Sequence, residues 1–277
     1  MNFKGKRLAD RLLLFYIRKV PDHPVKRRLV NKINDAWFKD GVQLEKNQAC
    51  FHLSTREQTG LGLMIEDEYE PLTMKLAETI LSGGGVLFDI GANMGLWSIQ
   101  LSKIKNVAVY SIEPSFEIFA LLQKNMHSSG AKNITPINLA LSNADGFGYM
   151  FNQHPKNLGT MKVVNDRQDG AYLVRLCTLA DLLGYLNIQR IRLMKIDVEG
   201  FELNVLKGLF AGDNAVRPEN LIMEFNELIE RTGYTQQESF DYIISQGYKP
   251  FNMLGQVYIF GEDMPESNLL FKYTGAD

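Results

Sequence analysis

The chain of 277 residues is 45% hydrophobic and sets 30 Lys/Arg against 32 Asp/Glu, a net charge of −2 that gives no global pull toward nucleic acid or anionic lipid. Its length allows one large core or two modest ones. The two cysteines, Cys50 and Cys177, form neither a disulfide framework nor a zinc pattern, which fits a reducing, cytoplasmic setting, and His23, His52, His127 and His154 lack zinc-hydrolase spacing.

Residues 1–32 hold ten Lys/Arg against Asp10 and Asp22, so a local charge of +8 leaves −10 for the remainder. Leu8, Leu12, Phe15, Tyr16 and Val20 recur near helical spacing up to Pro21, as in an amphipathic helix. It either packs on the domain with a solvated basic face or offers that face to anionic lipid or an acidic substrate. The apolar run Leu12 to Ile17 is too short to cross a membrane, and no small-residue cleavage site follows it. A hairpin is expected over Cys50 to Met64, turning at Thr59-Gly60-Leu61-Gly62, so 1–68 reads as a basic helical addition with a hairpin and 69–277 as the main domain.

Tyr69-Glu70-Pro71 opens a helix running to about Leu81, with Glu70 facing the glycine corner that follows, and Gly83-Gly84-Gly85 ends it. Val86 to Ile90 is a strand covered on both faces, carrying Asp89 near its end; Gly91 and Gly95 then turn the chain into a helix with Trp97, Leu101 and Ile104 on one side. Val107 to Ile112 is a second strand, closed by Glu113-Pro114, and Ser115 caps the next helix. A third strand is expected over Ile134 to Leu141, then an added hairpin from Gly146–Phe151 and Tyr172–Leu176, whose joining loop holds His154. Thr178 to Asp181 caps a short helix. Ile191 to Asp197 and Leu221 to Phe225 supply the fourth and fifth strands, with Val198-Glu199-Gly200 and a helix between them. Thr235 and Glu238 form a capping box, and Tyr248–Met253 with Val257–Phe260 read as a closing hairpin turned at Leu254-Gly255.

The glycine pattern does not match the dinucleotide fingerprint. The order Asp89-Ile-Gly91-Ala-Asn93-Met-Gly95 lacks the third glycine, and an anionic Asp89 repels a pyrophosphate. Glu113, 22 residues after Gly91, stands where an acid accepts both hydroxyls of a ribose, unless it is only a solvated strand-end carboxylate. An acid by the loop, a second acid after the next strand and no phosphate cradle together point to S-adenosylmethionine, whose ammonium and ribose need such partners.

These residues resemble the FkbM-type methyltransferases, a branch of the class I S-adenosylmethionine-dependent enzymes, over about Tyr69 to Glu227. The resemblance rests on Phe88 to Gly95, Ser111 to Ser115, Leu139 to Ser142, Lys195-Ile-Asp-Val-Glu-Gly-Phe-Glu202 and Asn220 to Glu224. It implies an α/β, Rossmann-like fold with a mostly parallel seven-stranded sheet, helices on both faces and a closing hairpin, and O-methylation of sugars, glycolipids or other hydroxylated products. It implies that Gly91, Ala92, Asn93 and Gly95 line the aminoacyl side of the cofactor, that Glu113 holds the ribose and that Ala140 and Leu141 flank the adenine. Asp197 and Glu199 would stand where the methyl points.

Their role follows from charge. A sulfonium loses its charge as the methyl leaves, so a carboxylate against sulfur favours the ground state; one beside the acceptor oxygen favours transfer and can take its proton. Asp197 or Glu199 is therefore read as acceptor orienter and general base, with His154 as a further candidate base. Glu199 can also be read as a helix N-terminal carboxylate, and Lys195 as a strand lysine paired with an acid. Glu224 with Asp197 and Glu199 offers oxygen ligands for a divalent metal, a reading not favoured. The expected activity is methyl transfer to a hydroxyl of a small-molecule or glycan acceptor. The alternatives are an RNA ribose methyltransferase, for which the basic residues crowd the wrong end of the chain, and a non-catalytic membrane-peripheral or binding module.

Overall fold

In a computed structural model the described residues are 69–152, 166–212 and 215–275 without a break, together with 2–5, 42–47, 49–53, 161–164 and residues 12, 13, 15, 16, 19, 20, 60 and 63. The chain begins with β1 (Asn2–Gly5), β2 (Val42–Lys46) and β3 (Ala49–Leu53). The chain continues through α1 (Pro71–Leu81), β4 (Gly85–Ile90), α2 (Leu96–Leu101), β5 (Val107–Ile112), α3 (Phe116–Ser128) and β6 (Ile134–Ile137). Then come β7 (Ala140–Ser142), β8 (Gly146–Asn152), β9 (Met161–Val164), β10 (Tyr172–Thr178), α4 (Leu179–Leu186), β11 (Leu193–Ile196) and α5 (Glu202–Leu209). β12 (Asn220–Glu224), a 3-10 turn (Glu227–Thr232), α6 (Gln236–Ser245), β13 (Tyr248–Phe251) and β14 (Asn268–Tyr273) complete it.

The central sheet has the order β13-β14-β12-β11-β4-β5-β6. β12, β11, β4, β5 and β6 pair in parallel, and β14 runs antiparallel to both of its neighbours. This is the mixed, mostly parallel seven-stranded sheet expected from the sequence. One face carries α1, α2 and α3, whose Met74, Ala77, Ile99 and Leu122 pack with Leu87, Val109 and Ile222 of the sheet. The other carries α4, α5 and α6 through Leu183, Val205, Leu209 and Ile243 against Phe88, Met194 and Met223. Strands buried on both faces read as continuous apolar runs, which is why β4 and β11 stood out.

Four elements depart from the sequence reading. The third strand is broken: β6 joins the central sheet, β7 pairs with β10 in a second sheet of order β7-β10-β8-β9, and between them the Asn138 amide donates to the carbonyls of Glu113 and Pro114. The early hairpin lies one strand sooner than expected, as β2 and β3 turn at Asn47 (φ 50), while Gly60 and Leu63, placed in its turn and second strand, are helical. Residues 2–5, expected to be part of a basic helical segment, are strand, although Leu12, Leu13, Phe15, Tyr16 and Lys19 are helical. The closing hairpin pairs β13 with Asn268–Tyr273; Val257–Phe260 makes a single bridge, Phe251 to Val257.

The caps form as read. Ser115, Thr178 and Thr235 accept the N–H groups of Ile118, Asp181 and Glu238, and Thr235 with Glu238 completes a capping box. At α1 the cap comes from far along the chain: Glu266 accepts the N–H groups of Leu72 (2.8 Å) and Thr73 (2.9 Å) and the Thr73 hydroxyl. A carboxylate at a helix N-terminus satisfies orphan donors and meets the positive end of the dipole. Glu266→Ala is expected to lower the unfolding free energy by about 1–2 kcal/mol in a urea titration. Glu78→Ala, on the exposed side of the same helix, should change it by less than about 0.5 kcal/mol, and equal effects would refute a capping role for Glu266.

Candidate active site

The sheet registers place the chemistry. Ser111, Asp89, Lys195, Ile222 and Leu270 face one another across β5, β4, β11, β12 and β14. Side chains repeat every two residues along a strand, so the next row on that face, at the carboxyl edge, is Glu113, Gly91, Asp197, Glu224 and Asn268. Glu224 and Asn268 are themselves paired across β12 and β14. Ligands of open parallel sheets bind at this edge.

Glycine is required in the middle of the row. Gly91 has φ +79, and a Cβ there would lie 1.8 Å from the Asp197 carbonyl oxygen. The glycine loop thus abuts the end of β11, and the Asp197 N–H donates to the Ile90 carbonyl at 3.0 Å. Asn93, at φ 49, donates its N–H to Glu113 Oε2 at 3.0 Å, and Ser115 donates to Glu113 Oε1 at 2.9 Å. Glu113 therefore braces the loop and the start of α3, so its removal costs stability. Asn125 of α3 ties the end of the loop to the N-terminal sheet, donating to the carbonyls of Met94 (2.9 Å) and His52 (3.2 Å) and accepting the His52 N–H (2.6 Å).

Lys195, 3% exposed, is the cation at the centre, and its Nζ donates to Asp197 Oδ2 at 2.8 Å beneath the Trp97 ring, 5.2 Å from its centroid. Glu70 bends in from the start of α1 with φ 47, accepting Trp97 Nε1 at 3.2 Å and Asn268 Nδ2 at 2.9 Å. Because Glu266 caps α1, Glu70 is left available to the site. Asp89, 1% exposed, accepts the Ser98 hydroxyl at 2.5 Å, but its Oδ1 is buried without a partner.

Acids outnumber the lysine. Burial pushes the carboxyls of Glu70 and Asp89 up from their ordinary values, against the pull of Lys195. Glu224 is pushed up to about 9, first by burial and then by Asp197, with Glu202 and Glu199 adding to it. Burial alone would push Lys195 down, but Asp197, Glu70 and Asp89 overcome it and hold the ammonium protonated. An edge with surplus carboxylates and an orphaned Asp89 oxygen is suited to a cationic ligand with N–H donors. It matches the ammonium and sulfonium of S-adenosylmethionine and opposes a pyrophosphate.

Of the residues singled out in the sequence, Glu70, Asp89, Gly91, Asn93, Glu113 and Asp197 converge on this edge. Ala92 and Gly95 belong to the same loop, Ala92 buried and Gly95 at the N-terminus of α2. Glu199, at φ 56 in the turn after β11, is half-buried and within electrostatic reach of Glu224. Leu141 lies with Phe88, Ile90 and Ile112 in the core behind the sheet, and Ala140 is buried as well. His154 lies outside the described residues. Among the described residues, no group of three His, Cys, Asp or Glu is placed to hold a metal ion, and no helix is long and apolar enough to cross a membrane. Sequence reasoning missed Trp97 and Asn268 as site residues; a helical tryptophan reads as core, and β14 was not identified at all.

A family model described as the methyltransferase FkbM domain matches residues 89–250. Methyltransferase 1 of Beauveria bassiana is 27% identical over 143 residues, covering 44% of this chain and 57% of that protein. The hexuronic acid methyltransferase AglP of Haloferax volcanii is 29% identical over 139 residues, covering 50% of this chain and 54% of that protein. The chain thus spans about half the length of the curated relatives it matches. Among solved structures, an O-methyltransferase from Bacillus cereus in complex with SAH aligns with a TM-score of 0.44 at 12% identity, over 75% of this chain and 83% of that one.

The raised Glu224 carboxyl has a definite sign in stability. Folded protein holds a proton there that the unfolded chain gives up near the ordinary 4.5, so the contribution is full below that value and is lost as pH rises toward about 9. Glu224→Gln has no such proton to lose. Its melting temperature should climb relative to that of the unsubstituted protein as pH is raised from 5 to 9, and a constant difference would contradict a buried, proton-retaining carboxyl.

Proposed function

Because the chain belongs to the FkbM methyltransferase family, we propose that it transfers the methyl group of S-adenosylmethionine to a hydroxyl of a carbohydrate or similarly hydroxylated acceptor. The observation that carries this reading is the row Glu113, Gly91, Asp197 and Glu224 over the Asp89 and Lys195 pair, an acid-rich edge with a glycine gap and an orphaned buried acceptor. S-adenosylmethionine, when bound, supplies a methyl on an electron-poor sulfur. Glu113 takes the ribose hydroxyls, Asp89 with Glu70 takes the ammonium, and Gly91 to Gly95 pass close along the aminoacyl chain.

Asp197 works on the acceptor. One of its oxygens is fixed by Lys195, and its side chain is 21% exposed at the mouth while the lysine is sealed beneath it. A carboxylate so held orients an acceptor hydroxyl, attracts it more strongly as the oxygen becomes acidic, and can receive its proton. Glu199 enters from the turn after β11 as the second acidic group near the acceptor. A carbohydrate acceptor is supported by the hexuronic acid methyltransferase among the relatives.

Titration calorimetry with S-adenosylmethionine and S-adenosylhomocysteine tests the cofactor, and a labelled-methyl screen over uronic acids, sugar nucleotides and glycolipids tests the acceptor. Folded protein giving no heat with either compound would leave a non-catalytic module as the better reading. Asp197→Asn should lower the transfer rate by about 10²- to 10⁴-fold while the Kd for S-adenosylmethionine stays within about threefold. Loss of cofactor affinity without loss of rate on bound complex would instead put Asp197 on the cofactor.

A further inference from the structure

The turn that carries Glu199 between β11 and α5 is bound by a buried carboxylate. Glu202, 1% exposed at the start of α5, accepts the backbone N–H of Val198 (3.0 Å) and of Gly200 (3.1 Å) with a single oxygen, Oε1. Its other oxygen, Oε2, is buried without a partner. The turn it holds is conformationally costly: Glu199 has φ 56 and Gly200 φ 99, and a Cβ on Gly200 would lie 2.2 Å from the Leu228 carbonyl oxygen. The Thr232 hydroxyl, donating to the Gly200 carbonyl at 3.1 Å, holds the same turn from the other side. A non-glycine residue at positive φ persists only where its surroundings over-determine it, and here the two N–H bonds to Glu202 supply much of that determination.

We infer that Glu202 is a positioning residue: it clamps the 198–200 turn in the left-handed conformation that presents Glu199, and with it the end of β11 and Asp197, to the acceptor. The inference rests on the proposed transferase reading for its purpose, but the clamp itself is a property of the free protein. Hydrogen bonds to a charged carboxylate are about twice as strong as neutral ones, so the clamp is tightest when Glu202 is ionised. Burial, the largest cause, with Asp197 at the end of β11 adding to it, outweighs the backbone N–H bonds and leaves the Glu202 carboxyl pushed up to about 7, while Glu224 at the end of β12 keeps its own proton to about 9 and brings no charge to it there. The clamp therefore loosens as pH falls through neutrality.

Amide hydrogen exchange on the full chain, read at Val198 and Gly200, tests the clamp without any acceptor. Protection of both amides should decline by about tenfold in opening equilibrium between pH 8 and pH 6, after correction for the intrinsic exchange rate. Glu202→Gln, which keeps an acceptor oxygen but cannot ionise, should show weaker protection with no pH step, and Glu202→Leu should lose protection at these two amides while the amides of β4 and β5 stay protected. With S-adenosylmethionine and whichever acceptor the screen finds, Glu202→Leu should reduce kcat at least tenfold and leave the cofactor Kd within about twofold. Unchanged protection of Val198 and Gly200 in Glu202→Leu overturns the inference, as does full kcat in a variant whose turn has opened. Failure of the unsubstituted protein to bind S-adenosylmethionine refutes the transferase reading, a result the exchange measurements do not share.

Discussion

One buried ammonium sets the electrostatics of the whole carboxyl edge. Lys195 reaches up from β11 into a space shared with Glu70, Asp89 and Asp197, and it is directly bonded only to the last. Burying a charge in a protein interior costs several kcal/mol unless partners replace the lost water. Three carboxylates around one lysine more than replace it, and the surplus then becomes a cost of its own. In the free protein that cost is relieved by proton retention, at Glu224 and Glu202 most visibly. On the proposed reading a cationic cofactor offsets the same surplus of acids.

That arrangement depends on backbone geometry more than on any side chain. Four parallel strands and the antiparallel β14, held in register, bring residues from five strands into one row, although the residues lie as far apart in sequence as Gly91 and Asn268. The row closes only because Gly91 lets the glycine loop touch the Asp197 carbonyl. It also depends on a division of labour at α1. Glu70 occupies the position that normally caps a helix but makes no such bond; Glu266, brought there by the chain leading into β14, does the capping. The C-terminal strand thus matters to the site twice, through Glu266 and through Asn268.

What the sequence disclosed and what it hid follow from the range of the interactions involved. The caps at Ser115 and Thr235, the proline that opens α1 and the turn at Gly91 are decided within a few residues, and all formed where read. β14 was hidden because its identity is settled by pairing with β12. Val257 to Phe260 has the better strand composition and the right alternation, yet Val257 and Ile259 are each 66% exposed while Tyr258 and Phe260 turn inward, so the pattern marks a surface segment over the core. The break after Ile137 was hidden for a similar reason: nothing local marks Asn138 as the residue whose amide replaces the strand ladder by bonding two carbonyls of the Glu113 turn. In the site, acids next to glycines were legible, whereas Trp97 and Asn268 acquire their polar roles only through Glu70, which reaches them from another element.

The pairing of Asp197 with Lys195 also decides which catalytic effect can dominate on the proposed reading. General-base assistance is worth about 10²- to 10⁴-fold, or roughly 3–5 kcal/mol. Holding two reacting groups in line can supply about 7–11 kcal/mol. A site designed around proton removal would leave its base free of cations and raise its affinity for protons. Here the base candidate is bonded to a lysine, the turn behind it is clamped by Glu202, and an acid that retains its proton, Glu224, stands beside it on the next strand. Those features fix the geometry of the carboxylate and of the turn behind it. They make alignment of the acceptor the larger contribution, with proton transfer following once the hydroxyl has become acidic.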